Sequence, residues 1–201
     1  MVDYEAFKIV DALMIVFYCL WAFYLCFLLS KYGKFHFYNF LLLSLIHFIT
    51  TLVYLPSIKT DALRYFRIAF ESHKSLIKPI LGQGTDFVNY YLYYLIHFFN
   101  LSYTGCYFLC SAIGLTGYFL IINTVVYLIK KYNLYYTKVN FYILLLPGLH
   151  YRNVALGKDS IVFFSIALFF SGIIRKNYIS IILFIKIAAY SNLNGIFIRV
   201  Y

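Results

Sequence analysis

A short segment of the chain combines a carboxylate, two guanidinium groups and a phenol at helical spacing. In the run DALRYFR, Asp61, Arg64 and Tyr65 occupy positions i, i+3 and i+4, so they share one face if the run is helical. A carboxylate there can act as a general base, while Arg64 or Arg67 can hold an anionic group such as a phosphate. The segment also fits an amphipathic helix on a membrane surface without chemistry, because most of its other residues are apolar.

A second polar segment, HYRNVALGKDS at 150–160, follows a proline and a glycine that interrupt an apolar run. Backbone groups freed by such a break need a cavity or protein cover when they lie beside a membrane. Lys158 and Asp159 are adjacent in sequence, so on a helix they address different partners. The segment is either a second anion-binding cluster that converges with the first, or a solvated turn between apolar helices. Its candidate substrate-binding residues are His150, Arg152, Lys158 and Asp159.

The other chemically capable residues do not form a recognisable site. The run GQGTD at 82–86 has the spacing of neither a phosphate loop nor a dinucleotide fingerprint, and it predicts a plain turn. Cys106 and Cys110 share a helix face, but no histidine is near them in sequence and packing is the favoured role. No metal site is predicted. Packing is also the favoured role of His47 and His97, which lie in or beside apolar runs, whereas Asp11, near the start of the chain, is expected to mark the membrane interface.

Composition restricts the elements that can position these residues. Soluble domains are about one quarter charged, whereas this chain is 12% charged and 64% hydrophobic, with a mean hydropathy of +0.81. Its long apolar runs do not alternate with polar residues, as the strands of a membrane barrel would. They approach or exceed the roughly 20 residues that a helix needs to cross a bilayer. The chain is therefore predicted to be an all-α, polytopic helical membrane protein.

The apolar runs divide the chain into about six spans within one transmembrane domain, residues 1–201. We expect crossings at 10–30, 37–55, 103–129, 139–149, 161–174 and 178–190. The residues between the second and third crossings form an outer loop, 57–102. Within this loop, the amphipathic segment that contains Asp61 precedes the tyrosine-rich run 87–99. That run is too short to cross and fits an interfacial or re-entrant helix.

Short basic turns predict the orientation of the spans. They follow the first, third and fifth crossings, and they contain Lys31, Lys34, Lys130, Lys131, Lys138, Arg175 and Lys176. By the positive-inside rule this side is cytoplasmic, so the outer loop and the 150–160 segment share the opposite face. The net charge of +10 then suits lipid headgroups of the bilayer, and no nucleic-acid partner is expected.

The arrangement resembles bacterial O-antigen and capsular polysaccharide polymerases and GT-C-type glycosyltransferases that use polyprenyl-linked sugars. The resemblance covers about 55–172 and rests on DALRYF in the outer loop and on the later run LPGLHYRNVALGKDSIVFF. Such proteins carry an aspartate near an arginine or tyrosine, then a proline, an aromatic stretch and a Gly-Lys-Asp at the start of a span. Here the pair His150-Tyr151 replaces the usual tryptophan-serine pair.

The resemblance implies an inverting transfer of sugar from a polyprenyl phosphate or diphosphate carrier to a glycan acceptor at the bacterial inner (plasma) membrane. It implies that Asp61 deprotonates the acceptor hydroxyl and that four cations stabilise the leaving phosphate, namely Arg64, Arg67, Arg152 and Lys158. Tyr65, His150 and Asp159 complete the implied substrate-binding set. No cofactor is implied, although a divalent cation stays open. Because the last residues do not continue the family's pattern, we expect a C-terminal truncation near 186–191.

Two other classes of function stay open from the sequence. A small transporter or flippase component places ionisable residues inside its helix bundle, and the available ones are Asp11, His47 and Lys186. An accessory membrane protein without catalysis uses the Asp61 segment only as a surface helix.

Overall fold

The computed structural model describes residues 9–55, 61–71, 85–133, 143–146, 150, 153–154 and 156–191. Within these ranges the chain is helical, and they contain no β-strand. A 3-10 turn covers Ile143–Leu145. The α-helices are α1 (Ile9–Ser30), α2 (Lys34–Tyr54), α3 (Asp61–Glu71), α4 (Thr85–Phe99), α5 (Tyr103–Tyr132), α6 (Lys158–Arg175) and α7 (Tyr178–Ser191).

Three of these helices, α1, α2 and α5, are long and apolar enough to cross a membrane. The all-helical prediction is thus confirmed in the described ranges, and the three helices fit the predicted membrane class. The other expected crossings are less apolar or shorter: α6 begins and ends with charged residues, and α7 is a shorter apolar helix. Of the expected crossing at 139–149, the described part is 143–146, which forms the 3-10 turn and an extended residue. The rest of that crossing lies outside the described residues.

Helices α1 and α5 run parallel, because contacts join both pairs of ends. Ser102 Oγ, just before α5, donates to Asp11 Oδ2 in the first turn of α1 at 2.6 Å. At the other ends of the two helices, Lys130 of α5 lies over the ring of Tyr32, which follows α1, at 4.8 Å from the ring centroid. Helix α2 connects to α1 through a short turn and therefore runs antiparallel to both.

Helix α6 also runs parallel to α5, and α7 returns antiparallel to it. The Phe163 ring near the start of α6 lies 4.8 Å from the Tyr118 ring, and Arg175 at its end donates to Asn123 O at 2.7 Å. The turns predicted to be basic therefore meet at one end of the bundle. We call it the basic end, and its described cations are Lys31, Lys34, Lys130, Lys131, Arg175 and Lys176. The opposite end, which holds α3, α4 and the first turns of α1, α5 and α6, is called the α3 end.

Helix α5 is the central element of the bundle. In the most apolar 18-residue stretch of α5, 56% of the residues are buried, whereas the corresponding shares are 28% for α1 and 33% for α2. Its glycines permit this close packing, because a Cβ added at Gly114 would overlap the carbonyl oxygen of Asn153. Large apolar residues of α1 and α2 point outward instead, as lipid-facing residues do.

Three hydroxyl side chains inside the bundle form hydrogen bonds with the backbone of their own helices. Ser44, Thr50 and Ser165 each donate to the carbonyl oxygen four residues earlier, at 2.6–2.8 Å. This bond removes the cost of leaving a hydroxyl without a partner in an apolar medium. Polar residues can therefore lie in these helices without forming a site.

Candidate functional site

Helix α3 forms as an amphipathic element at the α3 end of the bundle. Its buried residues, Ala62, Phe66 and Ala69, follow i, i+4, i+7 spacing and pack in one apolar cluster with the buried residues of α4. Asp61 lies in the first turn, where the helix dipole favours a carboxylate. The residue that would cap this helix, Thr60, lies outside the described residues.

The predicted charged face of α3 is turned away from the protein. Asp61, Arg64 and Arg67 are exposed. Tyr65, predicted to share the face of Asp61, is half-buried and packs against the apolar cluster. The carboxylate and the guanidinium groups thus lie on the exposed side of α3, while the phenol borders the protein interior.

The second predicted cluster lies at the same end of the bundle. Lys158 and Asp159 form the first turn of α6, and both are exposed. Val154 and Leu156, which precede them, are fully buried in the apolar cluster that contains Phe66. A single buried cluster therefore anchors α3 and the segment before α6, which places the two predicted groups of charges at the same end of the bundle. Arg152, the remaining predicted cation of this segment, lies outside the described residues.

His150, predicted to bind substrate, occupies the bundle core. Its ring is fully buried, its Nε2 lies 2.8 Å from Leu144 O and its Nδ1 lies 2.9 Å from His47 Nδ1. Both ring nitrogens are engaged within the protein, which places His150 beneath the charged groups rather than among them.

The partner of this ring, His47, is the centre of a polar network between α2 and α5. Its Nε2 lies 3.1 Å from Ser111 O, and Ser111 Oγ lies 2.7 Å from Thr51 Oγ1. Because a carbonyl oxygen only accepts, each of these Nε2–carbonyl contacts is a hydrogen bond only when that Nε2 carries a proton. The network ties α2 and α5 to the segment that returns toward α6.

Tyr118 of α5 completes the surroundings of the histidine pair. Its ring stacks on His150 at a centroid distance of 4.8 Å, and its hydroxyl accepts a hydrogen bond from Asn153 Nδ2 at 3.0 Å. Sequence reasoning missed this network, because it assigned packing to His47 and did not single out Tyr118 or Asn153. One signal was available: polar residues recur on one face of α2, at Ser44, His47 and Thr51.

Asp11 is buried at the start of α5 rather than exposed at a membrane interface. The Ser102 hydroxyl that donates to it also accepts from the backbone N–H groups of Thr104 and Gly105, so it caps α5. The carboxylate lies so close to Gly105 that an added Cβ there would approach Asp11 Oδ1 to 2.7 Å. Asp11 thus lies beside the N-terminus of α5, where the helix dipole stabilises a negative charge.

The cysteines of α5 contact a phenol, as a packing role allows. Tyr91 Oη lies 2.9 Å from Cys110 Sγ, and burial raises the pKa of Tyr91 well above its usual range. Cys106 and Cys110 are both free thiols in the apolar cluster. Among the described residues, no three His, Cys, Asp or Glu side chains gather as metal ligands.

Comparison with known proteins identifies no relative of this chain. No protein-family model matches the chain, and it matches neither a curated protein nor a solved structure. The function is therefore argued from the placement of the charged and polar residues in the bundle.

Proposed function

We propose that this protein is a multi-pass membrane polysaccharide polymerase or glycosyltransferase that uses polyprenyl phosphate- or diphosphate-linked sugar donors in the bacterial plasma membrane. One observation carries the proposal: the exposed charges of α3 and of the first turn of α6 lie at the same end of the bundle, on elements that share one buried apolar cluster. A lipid-linked sugar phosphate has the matching chemistry, because it joins an apolar chain to an anionic group at the membrane boundary.

In the proposed reaction Asp61 is the general base. It takes the proton of the acceptor hydroxyl as the acceptor oxygen bonds to the anomeric carbon and the bond from that carbon to the carrier phosphate breaks. The electron pair of the broken bond leaves on the phosphate. Cations stabilise that charge, and those proposed are Arg64, Arg67, Arg152 and Lys158.

The other proposed substrate-binding residues, Asp159, Tyr65 and His150, differ in their surroundings and therefore in their proposed roles. Asp159 is exposed beside Lys158 and can accept hydrogen bonds from sugar hydroxyls. Tyr65 is half-buried against the apolar cluster at the α3 end, and its phenol can contact both sugar and lipid there. His150 acts through the segment that it anchors, because both its nitrogens bond inside the protein.

We extend the proposal to the membrane arrangement. The parallel course of α1, α5 and α6 supports two further proposed crossings, one between α5 and α6 and one along α7. These passages, with α1, α2, α5 and α6, give six crossings. The basic end then faces the cytoplasm, and the proposed catalytic residues face the opposite side, where polysaccharide chains are assembled.

A gene-deletion experiment tests this function. The length distribution of surface polysaccharide is measured in a strain that lacks the gene and in the same strain complemented with wild type. Collapse of long chains to single repeat units, restored by the wild-type gene, supports a polymerase. Complete loss of the product supports transfer of an earlier sugar. An unchanged distribution would overturn the proposal and leave an accessory role.

The buried polar network supports a second candidate, a small transporter or flippase component. Ionisable residues inside a membrane bundle mark ion or substrate pathways, and Asp11 and His47 are both buried. Lys186, the third residue expected for this class, is exposed on α7. Accumulation of lipid-linked repeat units on the cytoplasmic face of the deletion strain would favour this candidate over sugar transfer.

A further inference from the structure

Two cations share one tyrosine ring at the basic end. Lys31 Nζ and Lys130 Nζ lie 5.0 and 4.8 Å from the centroid of the Tyr32 ring. Each ammonium is attracted to the ring face, and the ring thereby draws like charges from the ends of α1 and α5 together. The repulsion between the two ammonium groups is stronger in surroundings that are less polar than water. An anion bound between them would offset this repulsion and stabilise the arrangement.

A second ring repeats the arrangement between α5 and α6. The Arg175 guanidinium lies 5.2 Å from the centroid of Tyr127, and Lys131 Nζ lies 5.7 Å from the same centroid. Lys131 also lies 5.3 Å from the Tyr132 ring. Four cations from three helices thus converge on aromatic rings at one end of the bundle.

Acidic side chains do not balance this charge in the described part of the protein. The acidic residues of the described ranges all belong to elements at the α3 end, namely α3 and the first turns of α1, α4 and α6, and they are Asp11, Asp61, Glu71, Asp86 and Asp159. Lys31, Lys130 and Lys131 are exposed, so their charges are available to a ligand.

We propose that the basic end binds the headgroup of an anionic phospholipid at the Tyr32 and Tyr127 rings. Lys31, Lys130, Lys131 and Arg175 donate to its phosphate oxygens, which offsets the repulsion among these cations. A lipid rather than a free anion fits the site because apolar surface continues from it. Phe27 of α1 and Tyr38 of α2 are each 63% exposed beside this end and can contact the acyl chains.

The test measures lipid binding by the purified full-length protein in a neutral detergent. Its melting temperature is followed while phosphatidylglycerol, phosphatidylcholine of the same acyl chains, or inorganic phosphate is added. We expect phosphatidylglycerol to raise the melting temperature at concentrations where the other two have little effect. The double variant Lys130→Gln/Lys131→Gln should raise the half-saturating concentration of phosphatidylglycerol by at least about 10-fold, since it removes two charge-assisted hydrogen bonds to the phosphate in the proposed site.

The matched control is Lys34→Gln/Lys176→Gln, which removes the same charge from exposed residues at the same end. It should shift the half-saturating concentration by much less. Equal stabilisation by phosphatidylcholine would overturn the proposal, since headgroup charge would then not be recognised. Equal stabilisation by inorganic phosphate would replace the lipid with a free anion. An equal loss in the control variant would show a response to net charge rather than a site at the two rings.

Discussion

His47 Nδ1 and His150 Nδ1 lie 2.9 Å apart, although 103 residues separate them in sequence. The contact joins α2 to the segment between α5 and α6, and both rings are fully buried. A carbonyl oxygen faces each Nε2, and a hydrogen bond between the two Nδ1 atoms needs a proton on one of them. Two neutral rings carry two protons, so they donate to two of these three contacts at a time. The pair therefore forms a polar clamp that joins α2 to this segment inside an otherwise apolar bundle.

Replacing a member of this clamp should destabilise the fold. In His47→Ala the ring of His150 keeps its burial but loses a hydrogen-bond partner, and Ser111 O loses another. We expect a loss of about 2–4 kcal/mol in the free energy of unfolding, measured by thermal or denaturant unfolding in detergent. The control His97→Ala removes an exposed ring whose contact with Ala69 O is long, at 3.4 Å, and should cost about 0.5 kcal/mol or less. Equal losses in the two variants would contradict the clamp.

The close approach of Gly114 to the 150–157 segment predicts a steric effect. In Gly114→Ala the new Cβ overlaps the carbonyl oxygen of Asn153 and lies 3.2 Å from its carbonyl carbon. Backbone atoms cannot rotate away as a flexible side chain can, so we expect a loss of about 1–3 kcal/mol in stability. Gly157→Ala is the control, because its Cβ meets no described atom within 4 Å and its φ of 174° is extended. The two variants are compared by their melting temperatures, and an unchanged value for Gly114→Ala would contradict the packing of this segment on α5.

The exposed guanidinium groups of α3 should bind the anionic donor. The double variant Arg64→Gln/Arg67→Gln removes charge-assisted hydrogen bonds to the carrier phosphate, each worth about 1.5–3 kcal/mol. We expect the yield of polysaccharide in a complemented deletion strain to fall at least about 10-fold. Lys34→Gln/Lys176→Gln removes the same charge from the basic end and should retain the yield. Full yield from the α3 variant, at equal protein abundance in the membrane, would remove these arginines from the proposed site.

Much of the architecture followed from local patterns in the sequence. The apolar runs that became α1, α2 and α5 are long, and the basic residues after α1, α5 and α6 predicted that these helices end on one side. The charged and apolar positions of α3 follow the predicted periodicity, with Phe66 buried and Arg64 exposed.

Relationships between distant residues did not follow. His47 and His150 each fit packing or loop roles when considered alone, and their contact depends on how the segment after α5 returns through the bundle. The half-buried position of Tyr65 could not be predicted for the same reason. The apolar cluster that it packs against combines residues of α3, α4 and α5 with Leu156, which are distant in sequence. Helical periodicity predicts a face, but the partner of that face is set by tertiary packing.

The assignment of Asp61 as the general base carries the account, and one comparison tests it most directly. The deletion strain is complemented with Asp61→Asn or with Glu71→Gln, which neutralises the other exposed carboxylate of α3, and both proteins are quantified in the membrane. The account predicts that Glu71→Gln restores the wild-type length distribution of surface polysaccharide, whereas Asp61→Asn produces at least about 100-fold less long-chain product, the usual range for a lost general base. Wild-type polysaccharide from Asp61→Asn at equal abundance would contradict it.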